Sequence, residues 1–218
     1  MIALVRYTFA LALHSQRYLA PLLLFTGLMA VLTVSGSGPL PPAYASSAGA
    51  LFVASTWLTV ALFSLDEPSQ RAVLAVSAGH GLRVLLGSVA TVLLSCLGLS
   101  VLGLLFPLWV GSYEPGPADL ALGAIAQLTT ALTGAAIGVL CARPVFRRQG
   151  YALVAALALV MTTLFVPGLP PVNRMLRLMA TSSDSAALIP GVLGLLALAA
   201  VLLAASTALA HAVSTRRD

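Results

Sequence analysis

The sequence predicts an all-α, polytopic integral membrane protein with six transmembrane helices. Of its 218 residues, 60% are hydrophobic and only 8% are charged, whereas about a quarter of the residues in a soluble domain carry charge. The apolar residues form long stretches that are separated by short segments rich in Gly, Pro and Arg. Because one span needs about 20 apolar residues, we expect a single transmembrane domain over residues 1–218 and no further catalytic domain of normal size.

The predicted spans follow one another along the whole chain. Their approximate boundaries are residues 18–34, 46–65, 82–110, 120–142, 151–166 and 187–210. The fifth is the shortest, and it needs flanking residues or tilt to cross a hydrocarbon core of about 30 Å. The first follows a basic stretch as a signal peptide would, but no small-x-small cleavage site precedes a soluble mature chain, so we interpret it as a retained span.

The arginines predict the orientation of the spans. All eleven basic residues are Arg, and cytoplasmic loops are the ones that retain positive charge. With the N-terminus inside, only Arg174 and Arg177 fall on the outer side. We therefore expect both termini in the cytoplasm and outer connections at 36–45, 111–119 and 167–186, which carry Gly and Pro clusters typical of turns.

The basic composition has a second interpretation, which we reject. A net charge of +5 is compatible with nucleic-acid binding, but no basic run is interleaved with aromatic residues, so membrane topology explains the arginines better. The absence of Lys suggests a GC-rich bacterial genome. We expect the protein in a bacterial cytoplasmic membrane.

Small residues repeat along the fourth predicted span. They are Gly123, Ala126, Thr130, Gly134 and Gly138. A spacing of three or four places them on one helix face and permits close helix contact in lipid. Packing within the subunit is the favoured interpretation, and a substrate-lining face is the alternative.

Residues 1–17 precede the first span and are moderately apolar. Arg6 and Arg17 are eleven positions apart and thus nearly superposed around a helix. We predict an interfacial helix along the cytoplasmic leaflet that buries Leu4, Phe9 and Leu11. The alternative is a simple extension of the first span with snorkelling arginines.

The second cytoplasmic connection predicts a short helix of about three turns. Asp66 can cap it, Pro68 suits its first turn, and Glu67 lies four residues before Arg71, the favourable order for an ion pair. Gly79 supplies a stop. The candidate residues for contact with a soluble partner are Asp66, Glu67, Gln70, Arg71, His80 and Arg83. A solvated connector with ordinary cytoplasmic charge is the alternative.

The sequence lacks three common motifs of nucleotide binding, metal binding and hydrolysis. There is no Gly-x4-Gly-Lys-Ser/Thr loop, HExxH pair or GxSxG elbow. Every acidic residue and every Arg maps to a loop or a span end, and Cys96 and Cys141 have no CxxC partner or nearby His. We expect no enzyme activity, metal or cofactor in this chain, and any ATP-driven work must come from a partner.

Two stretches carry a resemblance to a known family. One is the basic approach to the first span, VRYTFALALHSQRYLAP at 5–21, and the other is Trp57 ahead of DEPSQR at 66–71 and AGHGLR at 78–83. In these stretches, and in span number and loop lengths, the chain resembles the permease subunits of ABC transporters of the type-2 exporter class, especially the short actinobacterial ones. It has no large extracellular domain like that of larger members.

The resemblance implies roles for several segments. Residues 1–17 would form the elbow helix, with Arg6 and Arg17 as anchors, and residues 66–81 the coupling helix, which sits in a cleft of a separate ABC ATPase subunit. Segment 167–186 would match an outer re-entrant or interfacial segment. A second, weaker ATPase contact would involve Arg143, Arg147 and Arg148. Two permeases, identical or different, would assemble with two ATPases.

The function expected from the sequence is therefore that of a permease subunit in an export system. Substrate would pass between the first, second and fifth spans of each copy. The lack of charge within the spans favours lipophilic cargo such as drugs, peptides or lipid-linked molecules. Two alternatives remain open: a non-transporting membrane scaffold or immunity-type protein, and an intramembrane hydrolase.

Overall fold

The computed structural model describes residues 2–33, 39–65, 81–111, 113, 115–142, 149–182 and 184–215. Within these ranges the chain is all-helical, without strands. The helices are α1 (Ile2–Ser15), α2 (Leu19–Thr33), α3 (Leu40–Phe63), α4 (Gly81–Val110), α5 (Pro117–Cys141), α6 (Gln149–Phe165), α7 (Val172–Thr181) and α8 (Ser185–Thr215). The predicted all-α class is confirmed for this part of the chain.

Four of these helices are long and apolar enough to cross a membrane. They are α3, α4, α5 and α8, with 24 to 31 residues each. The pair α1 and α2 makes a fifth candidate if it is counted as one span, but its two helices are bent by 74°. The fifth predicted span corresponds to α6, which has 17 residues. The structure thus gives four or five candidate spans, and the count of six stays a prediction.

The helices α3 and α5 form the centre of the bundle. In each of them 72% of the most apolar window is buried, against 22% in α8. The two helices pack against each other, α8 lies against α5, and α2 and α4 lie against α3. The core is therefore built around the α3–α5 contact.

Small residues on α5 make that close contact possible, as the sequence predicted. A Cβ atom on Gly134 would lie 2.9 Å from the carbonyl oxygen of Phe52, and one on Gly138 would lie 3.0 Å from that of Thr56. The first distance is shorter than real side chains show, and a Cβ atom on Gly138 would also overlap the Thr59 side chain. The packing interpretation of the small-residue face is confirmed at these two glycines.

The start of α3 corrects one sequence prediction. The Pro cluster at 39–42 was expected to belong to an outer turn, with the span beginning near residue 46, but α3 begins at Leu40. Pro41 and Pro42 lie in its first turn, where a backbone N–H has no helical acceptor, and the fixed φ of Pro suits a helix. Prolines at this position initiate the helix.

A compact reversal joins α6 to α7. The Asn173 side chain accepts a hydrogen bond from the Gly168 N–H (2.9 Å) and donates one to the Leu164 carbonyl oxygen (2.6 Å). Gly168 has a φ of +77°, a left-handed conformation that favours glycine. Because Asn173 belongs to α7 and Leu164 to α6, this one amide holds the end of one helix against the start of the next.

Candidate functional site

The bend between α1 and α2 is tight and hydrogen-bonded. Gln16 has a φ of 54°, a left-handed conformation common just after the last residue of a helix. The Ser15 hydroxyl donates to the Ala12 carbonyl oxygen (2.8 Å), and the Leu19 N–H donates to that of Gln16 (3.1 Å). These bonds set α1 at a steep angle to α2, so the two are not one straight helix.

One face of α1 packs on α4 through polar and small side chains. Thr8 and Ala12 are buried, while Arg6 and Phe9 are exposed. The Oγ1 atoms of Thr8 and Thr91 are hydrogen-bonded at 2.5 Å, and the Thr91 hydroxyl also lies 3.0 Å from the Gly87 carbonyl oxygen. This pair connects the N-terminal helix α1 to α4.

A small cavity adjoins this contact. It has a volume of about 20 Å³ and is lined by Thr8, Leu11, Leu62, Leu65, Ser88 and Thr91. Three of those side chains are hydroxyls, and a cavity of this size holds about one water molecule. The α1 surface therefore meets the ends of α3 and α4 across a partly polar interface.

Arg17 connects the α1–α2 bend to the end of α3. Its Nη1 atom donates to Ser64 Oγ (3.0 Å) and, more weakly, to the Ser64 carbonyl oxygen (3.5 Å). Ser64 is the C-terminal cap of α3, and a cation is favourable there because the last carbonyls of a helix carry partial negative charge. Arg17 thus contacts the chain two residues before Asp66, where the predicted coupling segment begins.

Most of the predicted coupling residues lie outside the described residues. This holds for Asp66, Glu67, Gln70, Arg71 and His80, and for Arg143, Arg147 and Arg148 of the second predicted contact. Arg83 is described and lies exposed in the first turn of α4. The structure therefore brings together Arg17, the end of α3 and the α1 helix, while the coupling helix itself stays a sequence prediction.

An apolar groove opens on the side of the bundle. It has a volume of about 350 Å³ and lies between α2, α3 and α6. Its lining residues are Leu24, Val53, Thr56, Trp57, Val60, Leu153, Ala156, Leu157 and Val160. The Thr56 hydroxyl bonds to the Phe52 carbonyl oxygen at 2.9 Å, so the groove offers a nearly apolar surface.

The sequence analysis did not predict a polar cluster that lies between α3 and α5. Gln127 on α5 donates through Nε2 to Ser47 Oγ on α3 (2.7 Å). The Gln127 Oε1 atom and the Tyr44 hydroxyl are buried and have no hydrogen-bond partner among the described residues. The sequence does indicate a polar position here, since Gln127 interrupts an apolar run. The prediction of polar groups within the spans considered only charged residues, and Gln127 is neutral.

Asp119 joins the starts of α5 and α8. Its carboxylate accepts hydrogen bonds from the Ser185 hydroxyl and from the Gly116 N–H, the latter at 3.0 Å. Both contacts lie at helix N-termini, where a negative charge is favourable. We assign Asp119 a structural role.

The described part of the chain has no arrangement of side chains suited to metal binding or thiol chemistry. No group of three His, Cys, Asp or Glu side chains there has the geometry to hold a metal ion. Cys96 and Cys141 are both free and buried.

Comparison with known proteins gave no relative on which to base a function. The chain matches no protein-family model, no curated protein and no solved structure. Functional conclusions therefore depend on the residues and their geometry.

Proposed function

We propose that this chain is the membrane-spanning permease subunit of an ATP-driven ABC export system in a bacterial cytoplasmic membrane. A separate ATPase subunit hydrolyses ATP, and a second permease copy, identical or different, completes the transport path. The observation that carries the proposal is the Arg17–Ser64 contact. It links the sharply bent N-terminal helix to the end of α3, next to the segment where the sequence predicts contact with the ATPase.

The proposed topology uses six spans. The helices α2, α3, α4, α5, α6 and α8 cross the membrane, with both termini in the cytoplasm. The α1 helix lies along the cytoplasmic leaflet as the elbow, which its 74° angle to α2 permits. Helix α7 occupies the outer segment before the last span.

Coupling to the ATPase runs through the connection between α3 and α4. Asp66, Glu67, Gln70 and Arg71 contact the ATPase, and His80 and Arg83 lie where α4 begins. Movement of that segment displaces the end of α3, and Arg17 transmits the displacement to the α1–α2 bend. A second contact is made by Arg143, Arg147 and Arg148, between α5 and α6.

The apolar groove suits the proposed cargo. It lies between α2, α3 and α6, which correspond to the first, second and fifth predicted spans. A largely apolar lining favours drugs, peptides or lipid-linked molecules over small ions, because an ion there would lose hydration without gaining a partner.

The test is co-purification with an ATPase. Tagged protein is purified from its own membrane in mild detergent, the eluate is analysed by mass spectrometry, and its ATP hydrolysis is measured. We expect a P-loop ATPase to co-elute with wild type and to be lost from the charge reversals Glu67→Lys and Arg71→Glu. The matched control, Arg217→Glu, reverses one charge on the same predicted side and should retain the ATPase.

Two results would count against the proposal. A stable homo-oligomer without any ATPase would favour the scaffold or immunity-type alternative. Retention of the ATPase by both charge-reversal variants would place the contact elsewhere on the chain. Size-exclusion profiles matching wild type establish that each variant is folded.

A further inference from the structure

Helix α7 has two sharply different faces. Val172, Met175 and Met179 are buried against the bundle. Arg174 and Arg177 are exposed, and their spacing of three places both on the opposite side of the helix. An amphipathic helix with cationic residues on its free face is typical of a membrane interface.

Helix α7 packs beside the N-terminal half of α3. Leu176 Cδ1 lies 3.7 Å from the Cβ position of Gly49, which is nine residues after Leu40, or about 13 Å along the α3 axis. The 24 residues of α3 span about 36 Å, roughly 6 Å more than the hydrocarbon core. With α3 centred in the bilayer and parallel to its normal, Gly49 is about 10 Å inside the hydrocarbon boundary, so the Leu176 side chain anchors α7 against the outer part of α3 rather than its middle.

Neither arginine finds an anion in the described part of the chain. Their backbone groups bond to Leu169 and Thr181, but neither guanidinium has a hydrogen bond or ion pair with any residue in the described ranges. The two acidic residues within the described ranges are engaged elsewhere: Asp119 binds Ser185 and Gly116, and Asp184 accepts from the N–H groups of Ala186 (3.0 Å) and Ala187 (3.3 Å). An exposed pair of guanidinium groups at a membrane interface attracts the anionic head groups of lipids.

Apolar side chains are also exposed on α7 and on the end of α6 that precedes it. Phe165 is 76% exposed and Val166 is 42% exposed at the end of α6, and Leu178 on α7 is half-buried. A ligand with an anionic head group and hydrocarbon chains matches both parts of this surface.

We propose that Arg174 and Arg177 bind the phosphate head group of an anionic phospholipid, with its acyl chains against Phe165, Val166 and Leu178. The planar guanidinium group matches phosphate oxygens in a two-point geometry and is more weakly hydrated than an ammonium group. The lipid belongs to the leaflet at the α7 end of the bundle, which is the outer leaflet in the proposed topology. This site requires neither ATP nor a transport partner.

The test measures lipid binding to the purified full-length protein by native mass spectrometry. Phosphatidylglycerol and phosphatidylcholine are titrated into wild type, Arg174→Gln/Arg177→Gln, and Arg216→Gln/Arg217→Gln as a control that also loses two charges. Because one arginine near an anionic surface is worth about a fivefold change in affinity, we expect the first double variant to bind phosphatidylglycerol roughly 30-fold more weakly. The control should match wild type, and Arg174→Lys/Arg177→Lys should fall between them. Equal binding by wild type and the Arg174→Gln/Arg177→Gln variant would overturn the proposal.

Further measurements distinguish an anionic phospholipid from other ligands of the two arginines. Displacement of phosphatidylglycerol by excess inorganic phosphate would show a free-anion site and overturn a lipid site. A shift from dimer to monomer in Arg174→Gln/Arg177→Gln, without a change in lipid binding, would assign the arginines to an acidic partner on a second copy. If that variant fails to fold, a photoactivatable phosphatidylglycerol on wild type decides: adducts within 165–181 support the site, and adducts confined to other segments overturn it.

Discussion

Arg17 shows how one residue joins segments that are distant in the sequence. Its guanidinium reaches Ser64, 47 positions later, and caps the end of α3. The role of Arg17 as an anchor of the elbow helix was expected from the resemblance to ABC permeases. The sequence did not identify the acceptor, because Ser64 gives no distinctive pattern and only the packing of α1 and α2 on α3 brings the two together.

At the residue scale we predict that Arg17→Ala lowers stability while Arg6→Ala does not. Arg17→Ala removes a charged donor from a partly exposed contact, so we expect a loss of about 1 kcal/mol in the free energy of unfolding. Arg6 is exposed and provides a matched loss of one charge on α1. Unfolding of both variants in mixed micelles gives the comparison, and equal losses would show that Ser64 is not a stabilising partner.

The contact of α3 with α5 depends on which face of each helix packs inward. Each helix is apolar on most of its surface, so hydrophobicity alone does not select the face that packs inward, because lipid tails are as apolar as the helix. Gly134 and Gly138 select it by allowing close approach of the backbone of α3. The repeat of small residues therefore predicted the packing face of α5, although it gave no information on which helix would pack there.

This packing predicts a position-dependent effect of Gly→Ala substitution. Gly138→Ala places a methyl group against Thr59 and the carbonyl oxygen of Thr56, and we expect overpacking to cost about 1–3 kcal/mol. In the matched control, Gly194→Ala on α8, the new Cβ meets nothing within 4 Å. That control should be neutral, or stabilising by up to about 1 kcal/mol through helix propensity. Thermal unfolding in detergent compares the two, and a similar effect at both sites would contradict the close α3–α5 approach.

At the scale of the whole molecule, the arginine distribution predicts the orientation in the membrane. With Cys96 and Cys141 replaced by Ala, a membrane-impermeant maleimide added to intact cells should label an introduced Ser112→Cys and miss Ser69→Cys. The reason is that residue 112 belongs to a predicted outer connection and residue 69 to a cytoplasmic one. Permeabilised cells control for reactivity at both positions. The reverse pattern of labelling would invert the topology.

The sequence by itself determined the all-helical class and the positions of the long apolar helices. These follow from local properties: each apolar segment has its own free energy of transfer into lipid, and each must satisfy its backbone hydrogen bonds internally as a helix. Helix ends were predicted less well, as at Pro41 and Pro42, because proline both terminates one helix and suits the first turn of the next.

Only the tertiary structure decided which residues meet. The Gln127–Ser47 bond, the Thr8–Thr91 pair and the Arg17–Ser64 contact each join residues at least 47 positions apart. The position of α7 beside α3 is likewise shown only by the contact of Leu176 with Gly49. Such contacts depend on the relative rotation and tilt of packed helices. Hydrophobicity along the chain does not encode these angles, since the interfaces between helices are selected by shape and by single polar groups.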